Sequence, residues 1–326
     1  MPPTTGRASL VHTSTAVLSL APVRLPAPGR AAELQVRVSV PANDDGRDLP
    51  IVLLSHGAGP SRHLPSLYGY APLADHWAAQ GFAVIQPTHL NSPTLQPDPA
   101  VSAAPDAPLH WRSRTEDMKR VLDGLDVIEA AVPGLRGRLD RKAVAVAGHS
   151  LGGHTASLLL GARLTDPRDG RLLDLADPRI TAGVLLAAPG RGGDALTADA
   201  ATHHPVLLGI DFSTMAAPAL VVAGDRDDSP HLTPRGPDWH ADPYHLSPGP
   251  KSLLTLFGAE HGLGGIAGYD AAETTAADTA PELLAAVRRL TTAYLRSALR
   301  PGDPAWERAR ETLAAEPRPA GRIDAK

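Results

Sequence analysis

Cysteine is absent from all 326 residues, which removes disulfides, thiolate catalysis and cysteine-ligated metal from consideration. Any nucleophile must therefore be an oxygen or a nitrogen. An excess of positive charge is also missing: 31 lysines and arginines face 35 aspartates and glutamates, for a formal net charge of -4, and the basic residues are scattered along the chain. That balance leaves no electrostatic footprint for nucleic acid. No apolar run approaches the ~20 residues of a membrane span, and Met1 to Leu20 contains neither an unbroken apolar stretch nor a small-residue cleavage site. The chain as written thus reads as cytoplasmic, a picture that a removed leader would also leave. Internal repeats are lacking too.

What is present is a pattern of strands alternating with helices. Val17 to Leu25 and Glu33 to Val40 read as an antiparallel pair at a sheet edge, the second with the alternation Leu34-Gln35-Val36-Arg37-Val38-Ser39-Val40. Continuous apolar runs at 50–55, 82–87, 143–147, 181–188, 219–223 and 252–257 read as strands buried on both faces. Helices are expected over 67–80, 114–132, 151–163 and 281–299. The Pro-rich segment 89–108, and most of 189–218 and 226–251, read as irregular. This order implies an α/β fold whose mostly parallel sheet is covered on both faces, with ligands bound beyond the carboxyl ends of the strands. Residues 1–30 read as an edge strand and arm, 31–300 as a single catalytic domain, and 301–326 as a polar, peripheral tail.

Gly148-His149-Ser150-Leu151-Gly152 lies between the run ending at Ala147 and the helix that follows. A bare G-x-S-x-G is a weak signal, but a strand before it and a helix behind it are the context of a nucleophile elbow, where Ser150 Oγ is held clear of its own backbone. A serine hydroxyl needs a base, and the base an acid to orient it. His261 in Gly258-Ala259-Glu260-His261-Gly262 stands just past the last strand, and Asp225, Asp227 and Asp228 just past an earlier one. Glu260 would point away from its neighbour and reads as a surface carboxylate. The amide of Leu151, opening the helix, is free to hold an oxyanion.

Other residues are weighed against plainer roles. Asp238 to His245 holds two histidines and two aspartates, yet matches no zinc spacing and is broken by Pro243, so no metal and no cofactor are expected. Trp239 and Tyr244 are instead expected to wall the substrate pocket, together with His89 at a strand end and His149 beside Ser150. Arg112 and Arg114 read as a solvated helix start, His203-His204 as an ordinary loop pair, and His154 as a packed helix residue.

The order Ser, Asp, His and the motifs His56-Gly57-Ala58-Gly59, Gly148 to Gly153, Gly224-Asp225-Arg226-Asp227 and Ala259 to Gly262 resemble the α/β-hydrolase superfamily over about residues 30 to 300. The likeness is strongest to the branch of dienelactone-hydrolase-like, chlorophyllase-like and platelet-activating-factor acetylhydrolase-like proteins. It implies an α/β-hydrolase fold and a catalytic triad of Ser150, His261 and Asp227, the last chosen over Asp225 and Asp228 by its distance past the strand. It further implies a second oxyanion donor at the Ala58 amide, with Gly57 as the alternative, and a structural role for His56. Cleavage of a small-molecule carboxylic ester through an acyl-enzyme is the expected activity. Thioesters, lactones, amides and acyl transfer stay open on the same triad, as does a non-catalytic binding protein on the same scaffold. Dienelactone hydrolase uses a cysteine, so its lactone specificity does not carry over, and His149 stands where polyester hydrolases have an aromatic residue.

Overall fold

In the computed structural model, residues 15–42, 46–95, 99, 103, 106–268, 271 and 279–326 are described, and the expected loop over 89–108 lies partly outside them. Strands in chain order are β1 (Val17–Leu25), β2 (Leu34–Pro41), β3 (Leu49–Ser55), β4 (Ala83–Pro87), β5 (Leu139–His149), β6 (Arg163–Thr165), β7 (Leu172–Asp174), β8 (Ala182–Leu186), β9 (Ile210–Asp211), β10 (Ala219–Gly224), β11 (Lys251–Leu256) and β12 (Gly321–Ala325). The longer helices are α1 (Ala71–Ala79), α2 (Trp111–Asp123), α3 (Leu125–Ala131), α4 (Leu151–Leu159), α5 (Pro281–Leu299) and α6 (Ala305–Ala315).

Nine strands form one sheet in the order β1-β2-β4-β3-β5-β8-β10-β11-β12. The central six run parallel, from β4 to β11, while β2 joins β4, β1 joins β2, and β12 joins β11 antiparallel. The edge pairing of β1 with β2 agrees with the alternation in the sequence.

Both faces are buried, which is why the central strands are continuously apolar. Ile51, Leu53, Val144 and Val146 face the core shared with α2, α3 and α4. Val52, Leu54, Ala145 and Ala147 face the opposite core, shared with α1, α5 and α6. The predicted helix over 114–132 is two helices, because Gly124 leaves helical geometry between α2 and α3. The predicted helix over 67–80 starts only at Ala71, after a left-handed Tyr70 at φ 62°.

Two parts of the fold depart further from expectation. Short strands β6, β7 and β9 make a separate three-stranded sheet inside a region read as helix and loop. The tail beyond residue 300 is not a loose appendage: α6 packs into the second core, and β12 pairs with β11 from Ser252↔Ala325 to Leu256↔Gly321. Among the described residues no helix is long and apolar enough to cross a membrane.

The sheet order reverses between β3 and β5, since β3 leads outward to β4 and β5 leads the other way to β8. A crevice opens beyond the carboxyl ends of strands at such a point. The loop after β3 and the turn after β5 meet there.

Candidate active site

The turn after β5 carries Ser150 at φ 54° and ψ -122°, a conformation that side chains other than glycine rarely adopt. Its N–H donates to Leu186 O at the end of β8, and its carbonyl accepts from Gly153 and His154, so the strand passes into α4 within one residue. Glycine is required on either side for measurable reasons. A Cβ at Gly148 would lie 2.0 Å from Gly152 O, and one at Gly152 would lie 2.0 Å from Ser55 O. At Gly153 it would meet the Ala188 Cβ at 2.6 Å. The glycines let α4 press onto the ends of β3 and β8, and that close approach lifts the Ser150 side chain toward the crevice.

His261 follows β11, and its Nδ1 lies 3.0 Å from each carboxylate oxygen of Asp227, which follows β10. Asp225 is spent on the Gly258 N–H, and Asp228 lines the cavity rim, so of the three aspartates only Asp227 reaches the imidazole. Asp227 is fully buried, while the His261 side chain is 41 % exposed. Burial alone would raise the Asp227 carboxyl, but the imidazoles of His240 and His261 beside it outweigh that and hold the group well below the usual carboxylate range.

Ser150, Leu151, Ala58, His149 and His261 line one cavity of about 670 Å3. Its walls are Leu64, Leu109, Leu207, Leu232, Pro189 and Pro230, and its rim carries Arg226, Glu260, His204 and His231. Among the described residues Ser150 Oγ makes no hydrogen bond, and the serine and the imidazole line the same cavity. The N–H groups of Leu151 and Ala58 also meet no acceptor among the described residues, whereas Gly57 N–H is taken by Tyr70 Oη at 3.0 Å.

Behind the 56–59 loop lies a buried polar network in which every proton can be placed. His89 N–H donates to His56 Nε2 at 3.0 Å, so the His56 proton sits on Nδ1 and is donated to Gly57 O at 2.7 Å. The imidazole thus braces its own loop, the structural role expected of His56. Burial first, then His89 and Arg114, push His56 well below the ordinary histidine range and keep it neutral.

His89 is not a pocket residue. It is fully buried, donates Nδ1–H to Asp117 at 3.0 Å and accepts the Ser55 hydroxyl at Nε2 at 2.9 Å. A strand-end position suggests a pocket, but this strand end points into the network.

Arg114 corrects the expectation of a solvated helix start. Its guanidinium is fully buried and donates to Thr155 Oγ1, Asn91 Oδ1, Ser55 Oγ and His56 O. Burial pushes it down to about 9, with Asp117 and Tyr70 opposing, so it remains cationic at neutral pH. Asp117 meanwhile pairs with Arg30 at 2.8 Å. Arg112 binds Asp166 at 2.6 Å rather than facing the cavity around Ser150.

Trp239 is likewise not a pocket wall: it is fully buried, with Nε1 donating to Arg191 O at 2.9 Å. Tyr244 is buried under Lys326, whose ammonium lies 5.0 Å from its ring centroid. Of the segment around them, His240 is the member that reaches the site, placing Nε2 3.3 Å from Asp227 Oδ1 while Nδ1–H donates to Ala188 O. Asp227, His240 and His261 have their ligand-type atoms within 4.8 Å of one another, a spacing a metal ion could bridge. Tyr70 is not marked by the sequence, and His240 is marked only as one of the two histidines weighed as metal ligands between Asp238 and His245, not as a partner of Asp227. His149 does line the cavity, but it is nearly fully buried, and both ring nitrogens are bonded, to Tyr70 Oη at 2.8 Å and to His261 O at 2.8 Å. No family model matches this sequence, and a search of curated proteins finds no match.

Proposed function

We propose that the chain is a serine hydrolase of the α/β-hydrolase fold that cleaves carboxylic esters through an acyl-enzyme. The observation that carries this reading is the positive-φ Ser150, between a parallel strand and a helix N-terminus, in one cavity with an imidazole that a buried carboxylate orients. In this reading Ser150 Oγ attacks the ester carbonyl while His261 Nε2 takes its proton, and the negative charge of Asp227 stabilises the imidazolium. The Leu151 and Ala58 amides hold the oxyanion, and each such donor is worth about 2.7–4 kcal/mol of barrier. The same proton then passes to the leaving alcohol, and water repeats the sequence to release the acid. The hydrogen bond from Ser150 Oγ to His261 Nε2 forms in the substrate complex, where catalytic hydrogen bonds often tighten.

The leucine and proline walls favour an aliphatic ester. Ser150→Ala should abolish stoichiometric labelling by a fluorophosphonate probe and turnover of p-nitrophenyl esters of rising chain length, with the circular dichroism spectrum unchanged. Labelling that persists in Ser150→Ala would sink the assignment. Absence of any labelling in the wild type would favour a binding protein on the same scaffold.

A further inference from the structure

Three hydrogen bonds join the two loops that the hydrolase reading assigns to catalysis, and their direction is fixed at both ends. Gly57 N–H can only donate, so Tyr70 Oη accepts it at 3.0 Å. His261 O can only accept, so His149 Nε2 carries the proton in that 2.8 Å contact. The imidazole, pushed down to about 3 by burial and then by His261, is neutral, which leaves Nδ1 as an acceptor. Tyr70 Oη–H therefore donates to Nδ1 at 2.8 Å, and the chain reads Gly57 N–H to Tyr70 Oη–H to His149 Nδ1, then His149 Nε2–H to His261 O.

We propose that Tyr70 and His149 are positioning residues that lock the oxyanion loop to the loop of the catalytic base, with the residue before the nucleophile as the bolt between them. This rests on the hydrolase reading of the same cavity. Three further observations support it. Tyr70 N–H donates to Ala267 O at 3.0 Å, a second tie from the same residue to the segment after His261. Tyr70 is held at φ 62°, a left-handed conformation that a tyrosine does not choose without restraint. A Cβ at Gly57 would lie 3.1 Å from Tyr70 Oη and 3.3 Å from His149 Nδ1, so any side chain at 57 would press into the chain of bonds.

The chain also divides labour within the loop. Engaging the Gly57 amide fixes the His56–Gly57 peptide, while His56 Nδ1–H holds Gly57 O, the carbonyl of the peptide that carries the Ala58 N–H, and leaves the Ala58 amide as the donor that can face the oxyanion. The neutral imidazole spends both nitrogens on the scaffold and has none for substrate, so the two residues act on geometry at the reacting centre rather than on binding.

The test is a double-mutant cycle on Tyr70→Phe and His149→Leu, read by kcat and KM on p-nitrophenyl butyrate, beside urea unfolding of the same four proteins. Each single change is expected to lower kcat about 10- to 100-fold with KM altered less than about threefold. The double variant should fall no further than the worse single one, because either change breaks the same chain. His149→Gln, whose amide can still donate to His261 O, should recover part of the loss seen in His149→Leu. Multiplicative losses in the double variant, a dominant rise in KM, or equal kcat for the Gln and Leu variants would each overturn the coupling. A wild type without turnover would instead strike the hydrolase reading, and the unfolding cycle separates the two failures: coupled stabilities of Tyr70 and His149 uphold the chain of bonds whatever the chemistry. Should Tyr70→Phe not fold, the comparison of Gln with Leu at 149 decides alone.

Discussion

Ser150 sits in a backbone region that costs on the order of 1–3 kcal/mol, and the restraint that holds it there is the contact of Gly152 and Gly153 with the ends of β3 and β8. Strain of this kind persists only where the surroundings leave no alternative. Gly152→Ala puts a Cβ 2.0 Å from Ser55 O, which nothing flexible can relieve, and is expected to abolish probe labelling and lower Tm by several degrees; unchanged labelling would show that the turn can relax. Asp227→Asn keeps the shape while removing the charge that orients His261 and stabilises its imidazolium. Activity should fall on the order of 10^3- to 10^4-fold in kcat with little change in KM. Its effect on stability has a definite sign: a carboxyl held below its unfolded value of about 3.9 stabilises the fold above that pH and loses the contribution as pH falls further. Asp227→Asn should therefore lower stability at neutral pH, as followed by urea unfolding. Ser150 and His261 were legible because local sequence fixes their setting at strand ends. His89 shares such a setting, and its burial was invisible because it depends on Asp117 and Ser55, 28 and 34 residues away.

At the scale of elements, the parallel core could be read directly because its strands are buried on both faces and therefore unbrokenly apolar, and α5 was read at its observed limits for its regular apolar stripe. β12 could not. Gly321-Arg322-Ile323-Asp324-Ala325 has a single large apolar side chain, since an edge strand covers the core with one face and offers the other, here the Arg322–Asp324 pair, to solvent. β6, β7 and β9 span two or three residues each, too few for any periodicity to register. The consequence for the tail is testable. Backbone groups of Lys251 and Lys326 pair reciprocally at 3.0 Å, and Lys326 Nζ donates to the carbonyls of His245 and Ser247. Removing residues 317–326 would bare the β11 edge, which invites strand addition by another chain. The truncated protein is expected to lose several degrees in Tm and to form oligomers in size-exclusion chromatography; a monodisperse truncation of wild-type Tm would return the tail to the peripheral role its polarity suggested.

For the molecule as a whole, the dominant electrostatic feature is the number of imidazoles that folding removes from water. His56 and His89 lie well below the ordinary range, His149 at about 3 and His154 at about 4, in each case through burial first. Each resists protonation in the fold and accepts it freely in the unfolded chain, whose histidines titrate near 6.5. The unfolded state therefore binds more protons below that value, and stability, fully present above pH 6.5, drains away as pH falls toward the folded values. One such group contributes about 1.4 kcal/mol per pH unit in that window. All four act in the same direction across that window, in a fold whose whole stability is typically only about 5–15 kcal/mol. The protein should unfold cooperatively in mild acid, well before its carboxylates titrate. His154 offers the cleanest probe, since among the described residues neither ring nitrogen has a hydrogen-bond partner and nothing polar is orphaned when the ring is replaced. His154→Leu should shift the acid midpoint downward and reduce the slope of unfolding free energy between pH 6.5 and 5.5. Urea titrations at half-unit steps from pH 8 to 5 measure both, and a wild-type stability that stays flat across that interval would show that the buried imidazoles take up protons without opening the fold.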